Sequence, residues 1–244
     1  MTYGVGMLLD EGLVMVSDSR THAGVDQVAS FRKMRVFEVA GERCLILLAA
    51  GNLAVSQSVV SLLAEGVGEG PDAPTITGVA TMFEAARLVG AAVREVFRVD
   101  GASLKEHGAE FNVSFILGGQ IKGRRLRLFQ IYAAGNFVEA TPDTPYFQIG
   151  ETKYGKPIID RVVQSNTGLR EALRCALISM DSTLKSNISV GLPIDVAVYR
   201  RDALTLAVRR RIEDGDPYFT DLRKHWGTGL RSVFQTVPDP DWAP

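Results

Sequence analysis

The chain predicts an α+β fold in which antiparallel sheets stack face to face and pairs of helices cover their outer faces. Two observations predict it. Strand-length apolar runs and helical periodicities come in blocks, in the order strands, two helices, strands, two helices, strands. Such blocks argue against an alternating parallel βαβ chain. Several strand candidates are also apolar at consecutive positions, as expected of strands covered on both faces.

The elements follow in order. Tyr3 to Leu9 and Leu13 to Ser17 are apolar around the turn Asp10-Glu11-Gly12, which makes a hairpin. Lys33 to Val39 and Cys44 to Ala49 bracket Ala40-Gly41-Glu42 and make a second one. The period then becomes helical. A helix is predicted over Leu53 to Val67, and another from Val79 to Phe97, capped by Thr77 or Thr75. Val113 to Leu117 and Leu126 to Tyr132 flank a longer loop, and Tyr146 to Ile149 is a further short strand. Helices return at about Pro157 to Gln164 and Gly168 to Lys185, then strands at Ile194 to Tyr199 and Leu204 to Arg210. A tail from Glu213 to Pro244 carries Trp226, Phe234 and Trp242 among polar residues; it reads as a loose end or a docking arm. The predicted organisation is one domain over 2–212 and a C-terminal extension over 213–244.

Composition narrows the function classes. Of 244 residues, 46% are hydrophobic and 23% charged, which suits one globular domain with a substantial core. Twenty-seven basic residues stand against twenty-eight acidic ones, so bulk charge gives no ground for a nucleic-acid or anionic-membrane partner. The run Arg209-Arg210-Arg211 precedes Glu213, Asp214 and Asp216 and reads as a solvated strand end rather than a phosphate site. Cys44 and Cys175 have neither metal-ligand nor disulfide spacing and read as packed thiols of a reducing compartment. No leader pattern is visible, and no apolar run approaches the roughly 20 residues that span a bilayer. The expected location is the cytoplasm, with no membrane partner.

Four features carry chemistry. Thr2 follows Met1, and removal of the methionine leaves a hydroxyl and a free α-amine on one residue. Such an amine has a reference pKa near ~8, so a useful fraction is neutral and able to take the hydroxyl proton. Ser17-Asp18-Ser19-Arg20, followed by Gly24, closes the strand beside the first one, where a carboxylate faces the terminus. Lys33 opens another strand; near Asp18 it is held charged and lowers the pKa of the Thr2 amine or hydroxyl. Ala49-Ala50-Gly51-Asn52 turns a strand into a helix, which puts the Gly51 N–H at the positive helix end, where an oxyanion is held. Taken singly, each is also an ordinary turn or strand end.

Together they resemble the β subunits of 20S proteasomes and their simpler bacterial relatives. Thr2 and Asp18 are sixteen residues apart, as in that family, and Lys33 and Ala50-Gly51 follow in order. Met1-Thr2-Tyr3, Thr21-His22-Ala23-Gly24-Val25-Asp26 and Ala49 to Ala54 are similar to Anbu, the bacterial proteasome-related group. The resemblance is clear over 2 to about 65 and over 168–200.

It implies a four-layer αββα sandwich, the N-terminal-nucleophile hydrolase fold, and a threonine-type peptidase without a cofactor or metal. In that reading Thr2 is nucleophile and, through its amine, base. Lys33 tunes it, Asp18 orients Lys33, Gly51 holds the oxyanion and Arg20 supports the site. The family has a serine after Ile-Gly; here Glu151 follows Ile149-Gly150, and a carboxylate there can hold the ammonium form of Thr2 and make it a poorer base. Asp181 and Ser189 are the candidates for the pair that holds the amine. The substrate is a peptide or protein; an amidase acting on small amides and a ring-forming scaffold are the alternatives. The expected partner is a further copy of the chain, in a ring or an open helix. Whether an ATP-dependent unfoldase docks is left open.

Overall fold

A computed structural model describes residues 1–22 and 28–242. Ala23 to Asp26, part of the motif quoted above, lie outside the described residues. Among the described residues two five-stranded sheets and one two-stranded ribbon form, and every pairing is antiparallel.

The first sheet has β1 (Tyr3–Leu9) between β10 (Tyr146–Gly150) and β2 (Gly12–Asp18), then β11 (Ile194–Arg200) and β12 (Leu206–Ile212). The second runs β5 (Met34–Val39), β6 (Arg43–Gly51), β7 (Val113–Ile121), β8 (Arg127–Ile131), β9 (Phe137–Glu139). The ribbon pairs β3 (Arg20–His22) with β4 (Val28–Ser30). Helices α1 (Leu53–Glu65) and α2 (Met82–Glu106) follow β6; α3 (Lys156–Val162) and α4 (Leu169–Ser186) follow β10; α5 (Pro217–Phe234) ends the fold.

The apolar runs have the predicted cause. Along a strand, side chains alternate between faces. Leu45 and Leu47 enter a core shared with α1 and α2, through Val59, Leu63, Ala86 and Val89. Ile46 and Leu48 enter a second core with Leu13, Met15, Ile116, Leu128 and Tyr199, residues contributed by both sheets. Val14 and Val16 enter a third, with Ile159, Ala172, Ala176 and Met180 from α3 and α4. Both cysteines are buried in these cores; burial pushes the Cys44 thiol up to about 12 and the Cys175 thiol to about 11, which keeps both protonated and unreactive.

Several boundaries differ from the expectation. The second long helix starts at Met82, because Thr81, not Thr77 or Thr75, caps it by accepting from the Glu84 N–H at 3.1 Å. Val79 is buried against the helix pair from the preceding irregular segment, which is why it mimics helical spacing. The helix also runs nine residues beyond Phe97, to Glu106. Strand β7 continues to Ile121, so the loop before β8 is shorter than Gly118 to Arg125. The tail is largely a helix. Asp216 caps α5 by accepting from Phe219 N–H at 2.9 Å, and Phe219 is buried in the same core as Ile212. The part of 213–244 that carries Phe219 is thus built into the domain. No described helix is long and apolar enough to cross a membrane.

Candidate active site

The β1–β2 register sets Gly4 opposite Ser17, which brings Asp18 beside the first residues of β1. The Tyr3 N–H donates to Asp18 Oδ1 at 3.1 Å. Thr2, the residue just before β1, is buried. Its carbonyl accepts from the Glu151 N–H at 2.7 Å, across the pairing of β1 with β10. Gly150 makes this approach possible. It has φ +79°, and a Cβ there would stand 1.9 Å from the Thr2 carbonyl oxygen. Deeper in, the Tyr3 hydroxyl is held by Gln148 Nε2 at 2.6 Å and Ser179 Oγ at 2.5 Å, which ties β1 to β10 and α4.

Lys33 reaches the same point from the other sheet. It immediately precedes β5, and its carbonyl accepts from Ala49 N–H at 2.9 Å. Its Nζ donates to Asp18 Oδ1 at 3.0 Å and Oδ2 at 3.2 Å, to the Arg20 carbonyl at 2.5 Å and to the Met1 carbonyl at 3.1 Å. Asp18 also accepts from the Gly191 N–H at 3.3 Å. Burial pushes the Asp18 carboxyl up and the Lys33 ammonium down from their ordinary values, and each charge opposes the shift of the other. Burial, then Lys33, also lowers the pKa of the terminal amine of Met1; Asp18 and Glu151 oppose this. A cation is thus fixed at the carbonyl that precedes Thr2.

The remaining predicted residues divide. Gly51 ends β6 at φ +107°, where a Cβ would meet the Asn112 carbonyl oxygen at 2.1 Å. It lies two residues beyond Ala49, the partner of Lys33. Asn52 caps α1, its Oδ1 accepting from Ala54 N–H at 3.0 Å. Arg20 donates to the Ile188 carbonyl at 3.1 Å and so braces the turn after α4. Ser189 is in that turn, its N–H donating to Asn187 Oδ1 at 2.9 Å. Asp181 is engaged elsewhere: it accepts from Arg223 Nε of α5 at 2.6 Å. The structure brings Thr2, Asp18 and Lys33 together and gives Asp181 a helix-to-helix ion pair. Sequence reasoning missed the Gly191 N–H and the Arg20 carbonyl, both backbone groups, which side-chain chemistry does not announce.

Comparison with family models and with curated proteins gives no match. Among solved structures, Anbu (ancestral β-subunit) from Yersinia bercovieri is similar at 53% identity and a TM-score of 0.91, over 99% of this chain and 100% of that one. The chain belongs to the Anbu family. A Gly-1 mutant of Anbu from Hyphomicrobium sp. strain MC1 is 48% identical over 99% of this chain and 100% of that one, with TM-score 0.91. Anbu from Pseudomonas aeruginosa, solved as a helical assembly, is 45% identical over 98% of both chains, again with TM-score 0.91. The proteasome-related kinship inferred from residues 2–65 and 168–200 therefore extends over the whole chain, and the mixed helix-and-sheet fold is similar to that of Anbu.

Proposed function

We propose that this Anbu chain is a threonine-type peptidase whose nucleophile is Thr2 after loss of Met1. The observation that carries the reading is the buried Lys33 ammonium, held by Asp18 and touching the carbonyl that precedes Thr2. Once Met1 is hydrolysed off, the nitrogen bonded to that carbonyl becomes the free α-amine of Thr2. The neutral amine takes the proton of Thr2 Oγ, and Oγ bonds to the carbonyl carbon of the substrate. The carbonyl electrons move to oxygen, where the Gly51 N–H donates to the oxyanion. The C–N bond then breaks, and the leaving amine takes the proton from the Thr2 ammonium. An ester on Thr2 remains. Water attacks it, its proton again passing through the amine, and the acid leaves as Oγ regains a proton. Lys33 lowers the cost of negative charge at Oγ throughout, and Asp18 fixes Lys33.

The fold and partners are read in the same way. Three cores, one between the sheets and one outside each, support a four-layer αββα sandwich. The helical assembly of the Pseudomonas aeruginosa protein supports association of this chain with copies of itself.

Intact-mass measurement after a β-lactone probe tests the function. The expected result is a chain lacking Met1 with one adduct, on Thr2, and no adduct on Thr2→Ala. Full retention of Met1 in cells, or an unmodified Thr2, overturns it.

A further inference from the structure

A cleft of about 270 Å³ opens between β5–β6 and α1. Its walls follow from register. Arg35 pairs with Leu47, and the Lys33 carbonyl accepts from Ala49 N–H, so these four side chains share the sheet face turned to α1. Val60 of α1 closes the other side. Strand β5 is the edge of its sheet, so the cleft is open to entering chain. Lys33 lines the cleft and also touches the carbonyl that precedes Thr2, which joins the cleft to the nucleophile.

Its charge is unbalanced. Among the described residues three cations line it and no carboxylate does. Asp18 neutralises Lys33. Arg32, half exposed, has one 3.3 Å contact with Asp195, a carboxylate that Arg211 already holds through two bonds. Arg35 is half-buried and has no ion-pair partner among the described residues. Leu47, Ala49 and Val60 offer an apolar collar. A ligand group that suits this lining has an aliphatic stem and a terminal anion.

We propose that the cleft receives an acidic side chain, glutamyl or aspartyl, on the substrate residue whose carbonyl Thr2 attacks. The inference rests on Thr2 being the nucleophile. That residue's side chain is the one closest to the reacting carbon, and the cleft is the cavity that shares Lys33 with it. Arg35 is then the specificity-determining residue. A carboxylate meeting its guanidinium in a half-buried site makes a charge-assisted, fork-shaped contact, stronger than the same contact in open water. A leucyl side chain leaves the guanidinium unpaired, and a lysyl one meets like charge.

The test uses peptidyl epoxyketones that differ only in the residue bearing the ketone, with intact mass followed against time. A β-lactone without a recognition side chain reports the nucleophile alone. The glutamyl probe is expected to label Thr2 about tenfold or more faster than the leucyl probe, and the lysyl probe slowest. Arg35→Gln lowers the glutamyl-to-leucyl ratio by about tenfold, and Arg35→Glu turns the preference toward lysyl. The ratio compares two probes on one protein, so partial loss of folded enzyme does not affect it. Labelling by the lactone with no glutamyl advantage, or an unchanged ratio in Arg35→Gln, overturns the acidic specificity and leaves Thr2 as nucleophile. Failure of every reagent to modify Thr2 overturns both.

Discussion

Asp18 and Lys33 meet at 3.0 Å with 0% and 6% of their side chains exposed, one from each sheet. Both charges are out of water, so each is held in place mainly by the other and by backbone groups. Asp18→Ala strands a buried ammonium, and Lys33→Ala removes the cation itself. Each substitution is expected to lower the rate of Thr2 labelling about a hundredfold or more. The double variant should lose little beyond either single one, because the two act as a unit. Losses that multiply in the double variant would falsify the arrangement.

The same pair sets a pH limit. Burial holds the Lys33 pKa below its ordinary value. The active form carries the proton, so it is present below that pKa and lost as pH rises through it. Labelling should therefore fall on the alkaline side before the ~10.4 of a free lysine. Lys33→Arg keeps its charge to far higher pH. It should label more slowly at neutral pH but lose this alkaline limb. A limb that persists unchanged in Lys33→Arg assigns the titration to another group.

Much of this site was legible because it depends on strand register. A hairpin from Tyr3 to Asp18 sets the carboxylate beside the terminus whatever the rest of the chain does. The strands at Leu13 and Cys44 stood out because both faces are buried, so no polar residue interrupts them. Strand β9 did not: three residues on a sheet edge are too few for a period. Helix α5 was hidden because little of it is buried, and Gly227 and Gly229 break its pattern. Its start was nonetheless written in Asp216-Pro217, a cap followed by proline at the first helical position. The bond from Gly191 to Asp18 joins residues 173 positions apart. The pairing of β11 with β2, which sets Ile194 opposite Asp18, creates it, and local pattern does not contain it.

Asp181 separates a structural from a catalytic role. Its carboxylate, 9% exposed, pairs with Arg223 of α5 at 2.6 Å. Asp181→Asn and Arg223→Ala should each lower stability by about 1 kcal/mol, as expected for loss of a partly buried charged hydrogen bond. Labelling of Thr2 at a temperature where both stay folded should be unaffected. Thermal melts and labelling rates on the same samples check this. A folded Asp181→Asn that fails to label would return the residue to the amine-holding role.

The last prediction concerns assembly. The first half of α5 is docked: Phe219 is buried, Leu222 packs beside it and Arg223 holds Asp181. Among the described residues the second half has no such cover. Leu230, Val233 and Phe234 share one helix face at spacings of three and four residues and are 51%, 63% and 79% exposed. Val237 and Trp242 extend the apolar surface beyond the helix. Aromatic and aliphatic anchors of this kind are what interfaces bury. The Anbu of Pseudomonas aeruginosa forms a helical assembly, which requires head-to-tail contacts between copies. The expectation is that the C-terminal half of α5 seats on a neighbouring copy. Ending the chain after Arg211 tests this poorly, since it also removes Ile212 and Phe219 from the core. Ending it after Gly229 keeps the docked half. That variant, and Phe234→Glu in the full chain, should melt near the parent temperature but shift to a smaller species in light scattering. A full-length protein that runs as a monodisperse 26.5 kDa monomer at micromolar concentration and still labels at Thr2 would show that no neighbour is needed.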